Sequence, residues 1–251
     1  MQSQSNSSGS GIQMPSCKCN WQWILGRAKE VMLNPKGVWN EIQNETTTVK
    51  DLYLGWLIPA GGFLYLCQFL GNWLYGQSFG GITLRSTFFG SLTSNLTQFI
   101  MSLIGAYVAA FVLSFLAPKF AGQNNIDRAM RLVAYSWTPL YVSGVFKLLP
   151  GLGIVSLILG IYCIYIFWNG VVAMTGIAFD KKIPYTAVSV ICIFIINLVL
   201  GVIAVAVGGT GYTSHVASDM QKIEMPGGYT FDPNEAQKSL DQLQKILPKQ
   251  P

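Results

Sequence analysis

Residues 187–207 read AVSVICIFIINLVLGVIAVAV, an apolar run that contains no charged side chain. A helix of about 20 apolar residues is long enough to cross the hydrocarbon core of a bilayer. Four further apolar runs precede it, at about 52–75, 96–117, 132–149 and 152–179. The sequence therefore predicts an all-α membrane protein, with a five-transmembrane helical bundle as its fold.

The overall composition agrees with this class. Of the 251 residues, 51% are hydrophobic and 11% are charged, whereas soluble globular proteins have about 25% charged residues. The formal net charge is +5. In a membrane protein an excess of Lys and Arg reflects the orientation of the chain, so we expect no nucleic acid among its partners.

The positions of the basic residues predict the orientation. They concentrate before the first run and in the loops that follow the second and the fourth runs: Lys18, Arg27, Lys29, Lys36, Lys50, Lys119, Arg128, Arg131, Lys181 and Lys182. The other two connections hold Arg85 and Lys147. Since Lys and Arg favour the cytoplasmic side, we expect a cytoplasmic N-terminus and an extracytoplasmic C-terminus.

The segment before the first run has two parts. Residues 1–20 are polar and of low complexity, so we expect a disordered arm. Residues 21–51 are predicted to form cytoplasmic amphipathic helices, and in 21–33 one helical stripe holds Trp21, Ile24, Leu25, Ala28 and Met32. Such a helix lies on a membrane surface or packs against the protein's own spans. On the first reading, anionic lipid is contacted by Trp21, Trp23, Arg27, Lys29 and Lys36.

Two local signals divide this segment. Asn34 is suited to cap a helix that opens at Pro35, and its apolar face would hold Val38, Trp39 and Ile42. Thr48 and Asp51 have the spacing of a capping box at the start of the next helix. We therefore expect a hinge at residues 34–35, which fixes the angle between two short helices.

Details of the runs predict a compact bundle. The third run is the shortest and contains Pro139, and the first contains Pro59, which is expected to kink it. The second run contains Gly105-x-x-x-Ala109 and Ala106-x-x-x-Ala110. Such small-residue pairs let helices approach closely, within one chain or between two copies.

The five apolar runs offer no carboxylate or imidazole for catalysis, because none of them contains Asp, Glu or His. Of the five cysteines, Cys17 and Cys19 lie far from His215, which is the only histidine. We therefore expect no enzyme activity, no metal and no cofactor. Lys147 is the one ionisable residue near membrane depth. It either extends to the outer interface or forms a counter-charge for a solute.

The C-terminal part, 208–251, is predicted to be an extracytoplasmic tail. It starts with the flexible sequence GGTG at 208–211 and holds a short helix near 233–247. The apolar stripe of that helix is narrow, so it either docks on its own bundle or contacts a partner.

Three stretches resemble one known family. LNPKGVWNEIQNE (33–45), followed by TTVKDLYLGWLIP (47–59), is similar to the segment that leads into the first span of the Yip (Ypt-interacting) membrane proteins, in their prokaryotic branch. The matching residues are Asn34, Pro35, Trp39, Ile42 and Glu45. AYSWTPLYVSGVFKLLPGLG (134–153) resembles the family's third span, through Tyr135, Ser136, Pro139 and Pro150. LGIYCIYIFWNGVVAM (159–174) resembles the fourth, through Tyr162, Tyr165 and Gly170.

The resemblance implies five spans and a cytoplasmic N-terminus. Eukaryotic relatives bind Rab-type GTPases and shape or sort vesicle membranes, whereas prokaryotic relatives have no established common activity. Three hypotheses follow: a non-enzymatic membrane organiser or adaptor, an accessory subunit of a larger membrane complex, and a carrier or channel for a small uncharged or anionic solute. The expected partners are anionic lipid, an unidentified membrane or cytoplasmic protein, and a second copy of the chain.

Overall fold

The computed structural model describes residues 21–75, 77–79, 82–84, 87–149, 152–219, 223–225 and 229–231. The predicted disordered arm at 1–20, Pro150 and the predicted helix near 233–247 lie outside these residues. Nine α-helices are described: α1 (Trp21–Leu33), α2 (Pro35–Ile42), α3 (Val49–Leu52), α4 (Ile58–Tyr75), α5 (Phe88–Leu116), α6 (Ile126–Ser136), α7 (Thr138–Val142), α8 (Gly153–Thr175) and α9 (Lys182–Asp219).

Within the residues that the structure describes, four helical stretches are long and apolar enough to cross a membrane. They are Val49–Tyr75, Phe88–Phe120, Ile154–Thr175 and Phe179–Val207. The predicted multi-pass, mainly helical membrane protein is therefore confirmed. Two short antiparallel hairpins accompany the helices, in which β1 (Gln77–Phe79) pairs with β2 (Ile82–Leu84) and β3 (Ile223–Met225) pairs with β4 (Tyr229–Phe231).

The first of these stretches contains one irregular turn. Between α3 and α4 the chain forms a π-helical turn at Tyr53–Leu57, where the N–H of Ile58 bonds to the carbonyl of Tyr53. Pro59 has no N–H for the carbonyl four residues before it, and a π-turn is one way to accommodate such a gap. The kink predicted at Pro59 therefore takes the form of a π-helical turn immediately before the proline.

The third predicted span is not one continuous helix. It consists of α6, α7 and a 3₁₀ segment at Ser143–Leu148, and we call residues 126–148 the broken segment. Pro139 cannot donate to the carbonyl of Tyr135, and the hydroxyl of Thr138 donates to that carbonyl instead, at 2.6 Å. This third predicted span, which would complete the expected five, therefore lacks the uninterrupted helical length of the other four.

The broken segment nevertheless follows the first long helix from end to end. The N–H of Val49 donates to Asp127 Oδ1 at 2.9 Å. Farther along, Trp56 Nε1 donates to the carbonyl of Ala134 at 3.2 Å. At the other end Gly71 packs against the backbone of Lys147. The two elements thus run side by side in the same direction.

The small residues of α5 face α9. Gly105, Ala106, Ala109 and Ala110 are all buried, and a Cβ at Gly105 would meet Leu200 Cδ1 at 3.0 Å. This close approach confirms the compact packing predicted from the small-residue pairs. The residues that were also considered for contact with a second copy are thus covered by the chain itself, with Gly105 against α9.

Helix α9 is longer than predicted. It continues through residues 208–211, where a flexible tail was expected to begin, and ends at Asp219. Beyond it, β3 lies against β2 of the first hairpin. The end of α9 and the connection after α4 are therefore neighbours in space.

Candidate functional site: the junction between arm and bundle

Helix α1 packs on the bundle with a face that shares only Ile24 and the partly buried Ala28 and Met32 with the predicted stripe. Its buried residues are Ile24, Arg27 and Val31, whereas Leu25 of the predicted stripe is 66% exposed. The helix carries two apolar faces, and hydrophobicity alone did not show which of them is covered. The prediction that Arg27 contacts the membrane surface is wrong, because this side chain is only 1% exposed.

Three carboxylates surround the buried guanidinium of Arg27. Its Nη1 lies 3.3 Å from Glu30 Oε2 and 3.6 Å from Glu41 Oε2, and its Nη2 pairs with Glu45 Oε1. The ring of Tyr135 lies beneath it, with its centroid 5.5 Å from Cζ. A buried charge is tolerated only when it is paired in this way. The pair with Glu45, whose carboxylate oxygens are buried, thus fastens α1 to the turn after α2.

Arg131 holds the same turn from the side of the bundle. Its Nη1 donates to the carbonyl of Ile42 at 2.8 Å and also to the carbonyl of Glu45. The last carbonyls of a helix have no partner within the helix, so Arg131 of α6 supplies one for the end of α2. In the sequence this residue served only to predict the cytoplasmic side.

Helix α2 is docked by a tryptophan against a glycine. Trp39 is buried, and its Nε1 donates to the carbonyl of Ile166 at 3.2 Å. A Cβ at Gly170 would lie 2.5 Å from the Trp39 ring, so only glycine leaves room for the indole at this point of α8. The cap predicted before α2 is present, since Asn34 Oδ1 accepts from the N–H of Gly37 at 3.1 Å and Pro35 opens the helix; the role of the pair as a hinge stays a prediction.

Aromatic side chains connect the rest of the arm. Trp23 packs edge-on against Trp56, with ring centroids 5.9 Å apart, and Trp56 contacts Tyr135 at 5.1 Å. Trp23 was predicted to contact lipid, but its indole faces the bundle. The hydroxyl of Tyr162 donates to the carbonyl of Met32 at 2.7 Å, and Tyr165 stacks on Tyr162.

The junction therefore brings together most of the residues that carry the family resemblance. Residues Trp21, Lys29 and Lys36 of the predicted lipid contact remain exposed on the arm. Pro139 is buried at the start of α7. Sequence reasoning missed Trp56 and the anchoring role of Arg131. The available signal for Trp56 was its position inside an apolar run, because a buried indole N–H usually has a hydrogen-bond acceptor on a neighbouring element.

Lys147 lies outside the junction. Its Nζ donates to Gln68 Oε1 at 2.5 Å, Gln68 Nε2 donates to Gln98 Oε1 at 3.2 Å, and Gln98 Nε2 donates to Ser94 Oγ at 3.3 Å. This polar chain connects the broken segment, α4 and α5. The ammonium is thus bonded to the bundle while the residue as a whole is exposed, and both predictions for this residue stay open.

Substitution of Gly170 by alanine tests the docking of α2. The added methyl group would press on the Trp39 ring, and we expect the protein to lose about 1–3 kcal/mol of stability, as for overpacked cores. Gly160→Ala on the same helix is the matched control, because its Cβ would meet only Leu140 Cδ1 at 3.8 Å. Unfolding in mixed micelles measures both, and equal stability of the two variants would contradict the docking.

Comparison with known proteins agrees with the resemblance. The sequence model of the Yip1 domain matches residues 29–214. The chain is 22% identical over 175 residues to the inner membrane protein YohC of Escherichia coli strain K12, and this covers 68% of the chain and 90% of YohC. YohC of Escherichia coli O6:H1 gives the same figures. No solved structure matches. Because the domain match covers well over half of the sequence, this chain belongs to the Yip1 domain family of integral membrane proteins.

Proposed function

We propose that the protein is a non-enzymatic membrane organiser or adaptor. In this proposal a bundle of five crossings holds a cytoplasmic arm, α1 and α2, at the bilayer interface. The outer face of the arm contacts anionic lipid and a protein partner.

The packing inside the bundle is the observation that supports the adaptor role. Five aromatic side chains each donate a hydrogen bond to a main-chain carbonyl of a different helix: Trp39 to Ile166, Tyr53 to Leu103, Trp56 to Ala134, Tyr162 to Met32 and Tyr185 to Leu113. Most of the other buried side chains are aliphatic or aromatic, and the buried polar ones, such as Ser91, Asn95 and Thr175, are scattered among them. A cavity lined by Asn and Thr would have favoured solute transport. A cross-braced and mainly apolar interior favours a scaffold that presents a surface.

The outer face of α1 offers such a surface. Trp21, Leu25 and Leu33 are exposed and follow one another along the helix with Lys29 between them. An apolar row with a basic residue suits the boundary between headgroups and acyl chains. A Lys close to an anionic surface contributes about 1 kcal/mol. The arm can therefore bind lipid on one face while its other face stays fastened to the bundle.

A photo-reactive amino acid placed on the arm tests the adaptor role. We expect the full-length protein with the probe at Leu25 to give lipid adducts and one discrete protein adduct in native membranes. Leu157 is the control position, because it lies on α8 outside the arm and is 63% exposed, and it should give lipid adducts only. The same adducts at both positions, or no protein adduct at Leu25, would contradict a partner-binding arm.

Five crossings with opposite termini are the proposed topology. The broken segment runs beside the first long helix along its whole length, so it has the reach of a crossing. The contact between β2 and β3 supports an odd number of crossings, because it brings the first outer connection and the end of α9 to one side.

Cysteine labelling checks this topology. A membrane-impermeant reagent added outside should label Ser218→Cys and not Ser16→Cys, in a background without native cysteines. Lysed cells should label both positions, which controls for reactivity. Labelling of both positions in intact cells would overturn the proposed orientation and crossing number.

A carrier for a small anionic solute is the second candidate. The polar chain from Lys147 to Ser94 favours it, since Lys147 Nζ pairs with an amide and not with a carboxylate. Flux of anions into proteoliposomes that is lost in Lys147→Gln and kept in Lys29→Gln would support the carrier over the adaptor.

A further inference from the structure

Lys182, the first residue of α9, is a buried lysine without an acidic partner. Its side chain is only 9% exposed, whereas Lys181 beside it is exposed. The three ion pairs within the described residues all belong to Arg27, so Asp180, two residues before Lys182, does not pair with it. A buried charge is costly unless it has a partner of opposite charge. The position therefore calls for an anion from outside this chain.

Two aromatic rings hold the ammonium group of Lys182 in place. Its Nζ lies 4.4 Å from the ring centroid of Trp168 and 5.6 Å from that of Phe179. The face of a ring attracts a cation, but a ring carries no net charge and does not neutralise the ammonium. The group has three N–H donors, and within the described residues no oxygen accepts from them. Its donors are thus fixed in position and remain open to a ligand.

Lys36 of α2 brings a second positive charge to the same place. It lies near enough to Lys182 for charge repulsion between the two ammonium groups. Lys36 precedes Trp39 by three residues, so the two share one face of α2, and Trp39 docks on Ile166 of α8. The docking therefore places Lys36 near the stretch of α8 that holds Trp168. Two like charges from different helices repel each other, and an anion between them would remove the repulsion.

We propose that Lys182 and Lys36 bind one phosphate group at the cytoplasmic end of the bundle. Lys182 stands just before the apolar run of α9, so the site lies at the depth of the lipid headgroups. An anionic phospholipid carries a phosphate group at this depth, and exposed Phe179 and Ile183 offer apolar contacts to its acyl chains. Inorganic phosphate offers the same chemistry from solution. The inference rests on the proposed function for the cytoplasmic position of the site, but it does not use the outer face of α1.

Thermal unfolding of the full-length protein in neutral-detergent micelles tests the site, because a ligand of the folded state raises the unfolding temperature. Phosphatidylglycerol, phosphatidylcholine or inorganic phosphate is added in increasing amounts. We expect a saturable rise with phosphatidylglycerol and none with phosphatidylcholine. Lys182→Gln should need about tenfold more phosphatidylglycerol for half of the rise, since it loses a charge-assisted hydrogen bond. Lys182→Arg keeps the charge and should respond as the wild type does. An equal rise with inorganic phosphate would assign the site to free phosphate, and no rise would assign it to lipid.

Lys119→Gln is the matched control. Lys119 also lies over an aromatic ring, with its Nζ 4.9 Å from the centroid of Phe115, but it is exposed and water can accept from its N–H groups. Its replacement should leave the response to phosphatidylglycerol unchanged. A wild type that responds to none of the three probes would overturn the proposal. So would a Lys182→Gln variant that responds as the wild type does, or an equal loss in Lys119→Gln. If the response were lost in Lys29→Gln and kept in Lys182→Gln, this site would be wrong and the lipid contact of α1 in the proposed function would stand.

Discussion

Replacing Arg27 with methionine is expected to destabilise the protein by about 3–5 kcal/mol at neutral pH, the cost of breaking a buried ion pair by removing one partner. Methionine keeps the length of the side chain but leaves the buried carboxylate of Glu45 without its cation. Glu30 and Glu41 are more exposed than Glu45, so water compensates for most of their loss. Titration with denaturing detergent in mixed micelles, followed by tryptophan fluorescence, measures the change.

Two further variants make the result specific to the Arg27–Glu45 pair. Lys29→Met removes a positive charge from the exposed side of the same helix, and we expect a change within about 0.5 kcal/mol, as for ordinary surface substitutions. Arg27→Met combined with Glu45→Leu should recover most of the loss, because an apolar pair replaces a buried ion pair at little cost. A single variant as stable as Lys29→Met would show that the guanidinium does not fasten the arm.

Gly71→Ala is expected to cost about 3 kcal/mol, at the upper end of the range of about 1–3 kcal/mol for overpacking. A Cβ at this position would overlap the carbonyl oxygen of Lys147 and lie 3.1 Å from its carbonyl carbon. Backbone cannot rotate away as a side chain does, so α4 and the 3₁₀ part of the broken segment must separate. Detergent-induced unfolding of the full-length protein measures the loss.

Gly62→Ala on the same helix is the matched control, because its Cβ would have no neighbour within 4 Å. Alanine favours a helix over glycine by about 1 kcal/mol, so this variant should be as stable as the wild type or slightly more stable. If both alanine variants were equally stable, the broken segment would not lie against α4 at this point. The proposed fifth crossing would then lose its main support.

The features that were predicted correctly depend on nearby residues. The cap of Asn34 on Gly37 and the start of α2 at Pro35 involve atoms within four residues of one another, as does the capping box between Thr48 and Asp51. The apolar membrane helices follow from the lengths of the apolar runs along the chain. The family was predictable because its motifs lie in a fixed order along the chain.

The features that were missed depend on residues far apart. Nothing close to Arg27 in the sequence indicates that Tyr135 will lie beneath it or that Glu45 will pair with it. The break in the third run was also missed, because the length of that run suited a continuous span. Only the contacts of the broken segment with α4 show how it is held in place. Burial of a charge is decided by tertiary partners, and these are not visible in the periodicity of one helix.

The docking of Trp39 on Ile166, across 127 positions of sequence, has a consequence for biosynthesis. The arm leaves the ribosome first, whereas its acceptor carbonyl on α8 is made much later. At translation rates of about 5–20 residues per second the interval is about 6–25 s. During that time the arm's aromatic side chains lack their binding site, and the nascent chain exposes them to chaperones and proteases of the compartment in which it waits.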